Sequence, residues 1–215
     1  MEGCPINNPM ISRVSVANQV YAALRQNIVQ GTYAPGQRVI EAQVAKTFSV
    51  SRAPVREAVN RLLQEGLLEA RTHHGPSVVH LTPETMRDLY ELRSAIEALA
   101  IRKLAVRAGT VDVAPLRECI ADMETCASKG DLAGVVDAEM QFHRQLRELS
   151  GNSYVISMGH HLDGIVQTAL TKDNKSYPSL HDVAEEHRPV VNAILNGDPE
   201  AAADILTRHI LGSLD

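Results

Sequence analysis

The sequence predicts a mainly α-helical protein built from an N-terminal winged helix-turn-helix and a C-terminal antiparallel six-helix bundle. In residues 15–80, three helix-like segments, the last two joined by a tight connection, precede two short strand-like segments. In residues 82–215, six segments repeat apolar residues at helical spacing, and glycine-containing turns separate several of them. Residues 1–14 show neither pattern and are predicted to be a flexible arm.

Apolar spacing and turn residues place the elements of residues 15–80. Gly31 and Gly66 end the first and third helices, Pro35-Gly36 forms a turn, and Ser51 can cap the third helix. The predicted helices cover residues 16–30, 41–48 and 52–65, and the predicted strands cover residues 67–71 and 77–80. A hairpin that follows such a helix pair is typical of the wing of a winged helix-turn-helix.

The second part begins at Thr82-Pro83-Glu84, which combines a helix cap, a proline for the first turn and an acid near the positive helix end. The six predicted helices cover residues 84–107, 113–129, 132–150, 153–171, 183–196 and 199–214, and residues 172–178 are predicted to form a loop. Pro189 falls inside the fifth helix and is expected to disturb it, because proline removes a backbone donor.

Composition indicates a cytoplasmic protein. The chain has no apolar run of about 18 residues that would suit a membrane helix, and its first ten residues lack the pattern of a secretion signal. No membrane partner is therefore expected. The three cysteines, Cys4, Cys119 and Cys126, cannot make a disulfide framework and are expected to be reduced.

The net charge of −5 is unevenly distributed along the chain. Residues 1–80 hold eight basic and five acidic residues, whereas the rest of the chain holds 13 basic and 21 acidic residues. A basic N-terminal part joined to an acidic second part fits a nucleic-acid-binding domain that carries a separate domain.

The third predicted helix carries Arg52, Arg56 and Arg61. Arg52 and Arg56 are four residues apart and share a face, while the apolar residues of the helix point inward. The planar guanidinium of arginine can donate two hydrogen bonds to a guanine edge or a phosphate, so this face is a candidate reader of the major groove. For Arg61, a DNA contact and a merely solvated or phosphate-bound side chain are equally consistent with the spacing.

A longer motif surrounds these arginines. It consists of Pro35-Gly36, Val50-Ser51-Arg52-Ala53-Pro54-Val55-Arg56-Glu57-Ala58, Arg61-Leu62 and Glu65-Gly66-Leu67. Over residues 16–80 it resembles the DNA-binding domain of GntR-type regulators. The resemblance implies that DNA is contacted by Ser51, Arg52, Ala53 and Arg56, and by the wing tip at His74 and Gly75. The family usually has threonine where this chain has Ala53, and arginine where it has His74.

The second part resembles the six-helix ligand-binding (FCD) domain of the FadR subfamily. The residues that carry this resemblance are Phe142-His143-Arg144-Gln145-Leu146 with Ser150-Gly151-Asn152, and Glu186-His187-Arg188 with Gly197-Asp198-Pro199. Arg93 matches the arginine that the family directs into its ligand cavity, so an effector carboxylate is expected there, although a surface salt bridge fits nearly as well. Asn152 is expected to order a helix start and is a candidate effector contact.

Within this resemblance, Glu139, His143, His187 and His209 form a candidate metal site. Glu139 and His143 are one helical turn apart, and the other two histidines come from the last two helices. Three imidazoles and a carboxylate inside a helical bundle suit a divalent ion such as Zn, Ni or Mn. The family usually has aspartate at the position of Glu139.

The sequence therefore predicts a transcription regulator that binds a pseudo-palindromic double-stranded DNA operator as a homodimer. A small organic acid, bound beside the metal, is expected to change its DNA affinity. A metal-dependent enzyme acting on a small carboxylate is the alternative, because histidine and carboxylate clusters also serve catalysis. A plain architectural DNA-binding protein is a third reading, but it leaves the helical second part unexplained.

Overall fold

The computed structural model describes residues 15–71 and 75–212. The predicted arm (residues 1–14), the wing-tip residue His74 and the last residues of the sixth predicted helix lie outside this part of the chain. Among the described residues, no helix is both long enough and apolar enough to cross a membrane.

Three helices and a small sheet make up the N-terminal part, called the head below. They are α1 (Val16–Val29), α2 (Glu41–Thr47), α3 (Arg52–Gln64), β1 (Leu68–Arg71) and β2 (Gly75–Val78). The buried core of the head includes Val20, Leu24, Ile28, Val44, Val55, Ala58, Val59, Leu62, Leu67 and Val78. The α1 and α3 side chains in this list recur at helical spacing, so one face of each helix is covered by the other.

The wing strands pair antiparallel, with Leu68 opposite Val78 and Arg71 opposite Gly75. β2 lies two residues earlier than the predicted strand, because this register buries Val78 against the core and leaves His80 exposed. The other edge of β2 is also occupied. The Val78 N–H donates to the Gln37 carbonyl at 2.9 Å, so the segment before α2 extends the wing sheet.

Six helices form the C-terminal part, called the body below. They are α4 (Pro83–Ala105), α5 (Ala114–Ser128), α6 (Leu132–Leu149), α7 (Ser153–Asp173), α8 (Leu180–Asn196) and α9 (Pro199–Gly212). Their buried apolar residues form a second core, separate from that of the head. The predicted fold class is thereby confirmed: a mainly helical chain in which a winged helix-turn-helix precedes a six-helix bundle.

Two details of the body differ from the sequence prediction. The predicted loop over residues 172–178 is shorter at its start, because α7 continues to Asp173 and Asn174 is buried against α6. α8 starts at Leu180, where the Ser179 hydroxyl accepts a hydrogen bond from the His181 N–H. Pro189 lies inside α8 without ending it.

The head and the body meet along α7. The Arg25 Nη2 donates to the Gln167 Oε1 at 2.5 Å, which ties α1 to α7. Close by, a Cβ on Gly164 would lie 3.0 Å from the Leu67 Cγ and 3.3 Å from the Glu65 carbonyl oxygen. Only a glycine lets the head approach the α7 backbone this closely.

Candidate DNA interface and buried histidine centre

The predicted DNA-reading face is solvent-exposed in the head. Ser51, Arg52 and Ala53 are exposed at the start of α3, and the Arg56 side chain is 68% exposed. Ser51 occupies the N-cap position, but its side chain makes no capping hydrogen bond, so its hydroxyl is not committed to the helix. The Arg56 Nε lies 3.6 Å from the Glu41 Oε2, and this loose ion pair orients the guanidinium along the helix pair.

Arg61 is engaged inside the head. Its Nη1 donates to the Asn18 Oδ1 at 2.6 Å, and its guanidinium lies 3.8 Å from the centre of the Tyr21 ring. Both contacts hold Arg61 against α1, which makes it a structural residue of the helix pair. Gly75 begins β2 with a φ of 74°, a left-handed conformation that favours glycine at this end of the hairpin.

Three of the four predicted metal ligands come together in the body. His143 on α6, His187 on α8 and His209 on α9 each offer a nitrogen, and these nitrogens lie within 4.8 Å of one another. The His143 and His209 rings are stacked with centroids 5.5 Å apart, and the His187 ring stands edge-on to both. We call these three residues the histidine centre.

Hydrogen bonds define the tautomers of two of these rings. The His187 Nδ1 lies 2.7 Å from the Val183 carbonyl oxygen, so it must carry the proton and donate. The His143 Nδ1 lies 2.5 Å from the Glu97 Oε2 and donates to that carboxylate. In the neutral rings both Nε2 atoms then carry lone pairs, yet they face each other at 3.3 Å.

The three imidazoles are held in the neutral form. Burial lowers the pKa of His143 to about 4 and that of His187 to about 3, with nearby positive charges adding to the effect. Burial also lowers the pKa of His209 well below its usual value. The contact between His143 and Glu97 is therefore a neutral N–H to carboxylate hydrogen bond at neutral pH, and the rings offer the unprotonated nitrogens that a metal ion requires.

The geometry of the histidine centre fits a divalent ion. Two nitrogens bound to one zinc at about 2.1 Å would be about 3.0–3.4 Å apart, depending on the angle at the metal. The observed separation between the His143 and His187 Nε2 atoms, 3.3 Å, falls in this range. The Nδ1 of His209 is buried and has no hydrogen-bond partner, so this polar atom also lacks a structural role among the described residues.

Glu97 joins the histidine centre to two buried arginines. Its side chain is buried; Oε1 accepts from the Arg147 Nη1 at 3.1 Å and from the Arg93 Nε at 3.3 Å, and Oε2 accepts from His143. Burial would raise the pKa of Glu97, but His143 and the two guanidinium groups outweigh it and lower the pKa. Carboxylates that accept from a ligand histidine in this way orient the ring and increase its basicity.

Sequence reasoning missed Glu97 and Arg147, although a signal was present. Glu97 is four residues after Arg93 on α4, and Arg147 is four residues after His143 on α6. Each therefore lies on the same helix face as a residue already singled out. A search for charged residues one turn from the candidate ligands finds both.

Arg93 and Glu139 lie beside the centre, inside the body. The Arg93 Nη2 is buried and has no hydrogen-bond partner among the described residues. Burial would lower the pKa of Arg93, but the carboxylates of Glu97 and Glu139 outweigh it and raise the pKa. Glu139 is not part of the histidine group; its Oε2 accepts from the Asn174 Nδ2 at 2.8 Å, and burial raises its pKa to about 7 despite Arg93.

Asn152 lies at the start of α7. Its side-chain oxygen accepts from the Tyr154 and Val155 N–H groups, at 3.2 and 3.4 Å, and caps the helix. The remaining histidines singled out on α7 make local contacts: His160 pairs with Asp163, and the His161 Nδ1 lies 2.7 Å from the Ser157 carbonyl oxygen.

The polar network continues from Glu97 into α7. The Arg147 Nη2 donates to the Asp163 Oδ1 at 2.7 Å. Arg147 also lies against the α7 backbone, because a Cβ on Gly159 would fall 2.1 Å from its Nε. Since Gly164 and Gln167 of α7 contact the head, one helix touches both the network around the histidine centre and the head.

Both parts of the chain match known protein families. Residues 16–78 match the model described as bacterial regulatory proteins, gntR family, and residues 88–212 match the FCD domain. A relative named probable D-xylose utilization operon transcriptional repressor, from Paenarthrobacter nicotinovorans, is 34% identical over 204 residues, covering 95% of this chain and 89% of the relative. The HTH-type transcriptional repressor RspR of Escherichia coli K12 is 25% identical over 197 residues, covering 91% of this chain and 86% of its own.

Solved structures support the same fold. A putative GntR transcriptional regulator from Rhodococcus sp. RHA1 superposes with a TM-score of 0.75 at 22% identity, covering 92% of this chain and 95% of that one. Escherichia coli McbR/YncC superposes with a TM-score of 0.73 at 20% identity, covering 93% and 95%. The matched families and the named relatives are transcription regulators, which decides against the enzyme alternative. The chain belongs to the gntR family of bacterial regulatory proteins, with an FCD domain as its body, and is a DNA-binding transcription regulator.

Proposed function

We propose that this regulator senses a small organic acid in its body, beside a divalent metal ion, and changes its DNA affinity in response. The observation that carries the proposal is the pairing of two unfinished sites. Among the described residues, the Arg93 Nη2 is buried without a partner, and the histidine centre next to it presents facing lone pairs. A metal-bound carboxylate that also accepts from Arg93 satisfies both.

The ion, Zn, Ni or Mn, would be held by His143, His187 and His209. It would supply a Lewis-acidic position for the effector's carboxylate. Glu97 would fix the His143 ring through its Nδ1. Glu139 is held by Asn174 in this structure, so its predicted role as a ligand requires that it exchange this hydrogen bond for the ion.

The effector position is almost closed in this structure. The cavity beside Arg93 and Glu97 has a volume of about 10 Å³, about what one water molecule needs. An organic acid is larger, so its binding must separate α4, α6 and α7 around Arg93. This opening is the difference between two body conformations that an effector needs in order to shift their populations.

We infer that α7 carries this change to the head. Arg147 lies against Gly159 on one side of α7, while Leu67 of the head lies against Gly164 and Arg25 bonds to Gln167. Because these contacts are close-packed, a displacement of α7 by opening of the body must move the head. In a dimer, this would alter the spacing of the two reading helices.

A dimer interface is available on the body. Leu92, Leu99 and Val106 are spaced seven residues apart on the exposed face of α4, and Tyr154 and Met158 extend this apolar surface on α7; Val106 is 72% and Tyr154 is 83% exposed. Seven-residue spacing is the pattern of a helix seam that pairs with another helix. A second copy of this chain would cover it and bring two heads to a pseudo-palindromic operator in the cytoplasm. The heads would contact this DNA through Ser51, Arg52, Ala53, Arg56, His74 and Gly75.

The test measures DNA affinity by fluorescence anisotropy on a duplex selected from a random library. Protein stripped with a chelator and protein reloaded with Zn, Ni or Mn are titrated with small mono-, di- and hydroxycarboxylates. A neutral pentose is included because one relative is named for D-xylose utilization. We expect a carboxylate to change the DNA affinity only of metal-loaded protein, and Arg93→Lys to weaken this response about tenfold by removing the bidentate fork. A response to the pentose alone, or one that is independent of metal, would contradict the proposal.

A further inference from the structure

The wing of the head has little positive charge in the turn that should approach DNA. Residues 72–74, between the paired ends Arg71 and Gly75, are threonine and two histidines. Neutral histidine binds phosphate more weakly than arginine does, and most protein–DNA hydrogen bonds are made to phosphate and sugar. A winged head of this sequence therefore needs a cation from another part of the chain to hold the backbone beside the wing.

Arg38 lies in the position where such a cation is needed. Its backbone forms an antiparallel bridge with Ser77 of β2, and the flanking Val39 N–H donates to the Pro76 carbonyl at 2.9 Å. Its guanidinium lies along the wing, because a Cβ on Gly75 would be 3.6 Å from both its Nε and its Nη2. Two backbone hydrogen bonds on either side of Arg38 thus hold it to β2, and its side chain extends toward the hairpin end.

The Arg38 side chain is exposed and has no ion-pair or hydrogen-bond partner within residues 15–71 and 75–212. Other arginines of the head are committed. Arg25 pairs with Glu65 at 3.6 Å and bonds to Gln167, Arg61 is held by Asn18, and Arg56 lies near Glu41. Arg38 is thus a cation that the fold positions next to the wing but does not use internally.

We propose that Arg38 binds a DNA phosphate beside the wing and supplies the positive charge that the hairpin turn lacks. The inference rests on the proposed reading of DNA by α3, since the wing reaches the backbone only when α3 is in the groove. The planar guanidinium suits a bidentate phosphate contact. As a phosphate contact, it adds affinity for every sequence and little discrimination between sequences.

The test compares Arg38→Ala, Arg38→Gln and Arg38→Lys with Arg52→Ala and with Arg117→Ala, an exposed arginine on α5 that serves as the matched control. Binding to the selected operator and to an unrelated duplex of equal length is measured by anisotropy over a series of salt concentrations. Circular dichroism and thermal melting confirm that each variant is folded.

We expect Arg38→Ala and Arg38→Gln to weaken binding to both duplexes by a similar factor and to reduce the slope of log affinity against log salt by about 0.9. Arg38→Lys should keep most of the slope, and Arg117→Ala should keep all of it. An unchanged slope in folded Arg38→Ala and Arg38→Gln overturns the inference, and so does a loss confined to the operator. If Arg52→Ala also binds operator normally, it is the proposed reading face that fails.

Discussion

Glu97→Gln removes the buried negative charge that holds Arg93, Arg147 and His143 together. Loss of one partner from a buried ion pair costs about 3–5 kcal/mol, because the remaining charge is left without compensation. Arg147 keeps its 2.7 Å bond to Asp163, and the glutamine oxygen still accepts hydrogen bonds. We therefore expect the lower end of the range, a decrease of about 3 kcal/mol in the free energy of unfolding.

The measurement is urea and thermal unfolding of chelator-treated protein. For a chain of this size, 1 kcal/mol corresponds to about 2–4 °C in Tm, so the expected decrease is about 6–12 °C. A second readout is metal affinity by competition with a chromophoric chelator. The introduced amide would hold the His143 ring less firmly than the carboxylate does, and changes of this kind lower metal affinity by about 10–100-fold.

The matched control is Glu118→Gln on α5, which makes the same substitution at an exposed position of another helix. Its stability should remain within about 0.5 kcal/mol of the parent. The reasoning is refuted if Glu97→Gln is as stable as this control, since Glu97 would then not compensate the buried guanidinium groups. An unchanged metal affinity in a destabilised Glu97→Gln protein would separately refute the positioning of His143 by Glu97.

Three further predictions concern the interface, the cysteines and the α7 contact. Leu99→Glu should convert a dimer into a folded monomer near 23.4 kDa by light scattering and weaken operator binding, because Leu99 is exposed at 53% in one chain; a dimer that persists would exclude this face. Burial raises the pKa of the Cys119 thiol to about 11, so at pH 8 iodoacetamide should modify the partly exposed Cys126 first, as read by peptide mass spectrometry; earlier modification of Cys119 would contradict its burial. Gln167→Ala removes the hydrogen bond to Arg25 and should keep effector affinity while reducing the effector's influence on DNA affinity; an unreduced influence would show that this contact is not needed.

Much of the fold could be predicted because it depends on short-range pattern. Helix starts and ends follow from local features, such as the Thr82 capping box before α4 and Gly197, whose φ of 76° ends α8. The register of the wing could not be predicted in the same way. Val78 and His80 are both compatible with a strand, and only the pairing with β1 shows that Val78 is the residue buried against the core.

The sequence alone determined the two-part organisation, the arginine-bearing third helix of the head and the histidines of the body, because these depend on residue types at local spacing. The tertiary structure decided which of these groups meet. It brought His143, His187 and His209 together and left Glu139 with Asn174, because the rotation of each helix about its axis is set by packing. It also placed Arg38 beside Gly75, far apart in sequence, because a sheet joins strands through backbone hydrogen bonds that no local pattern specifies.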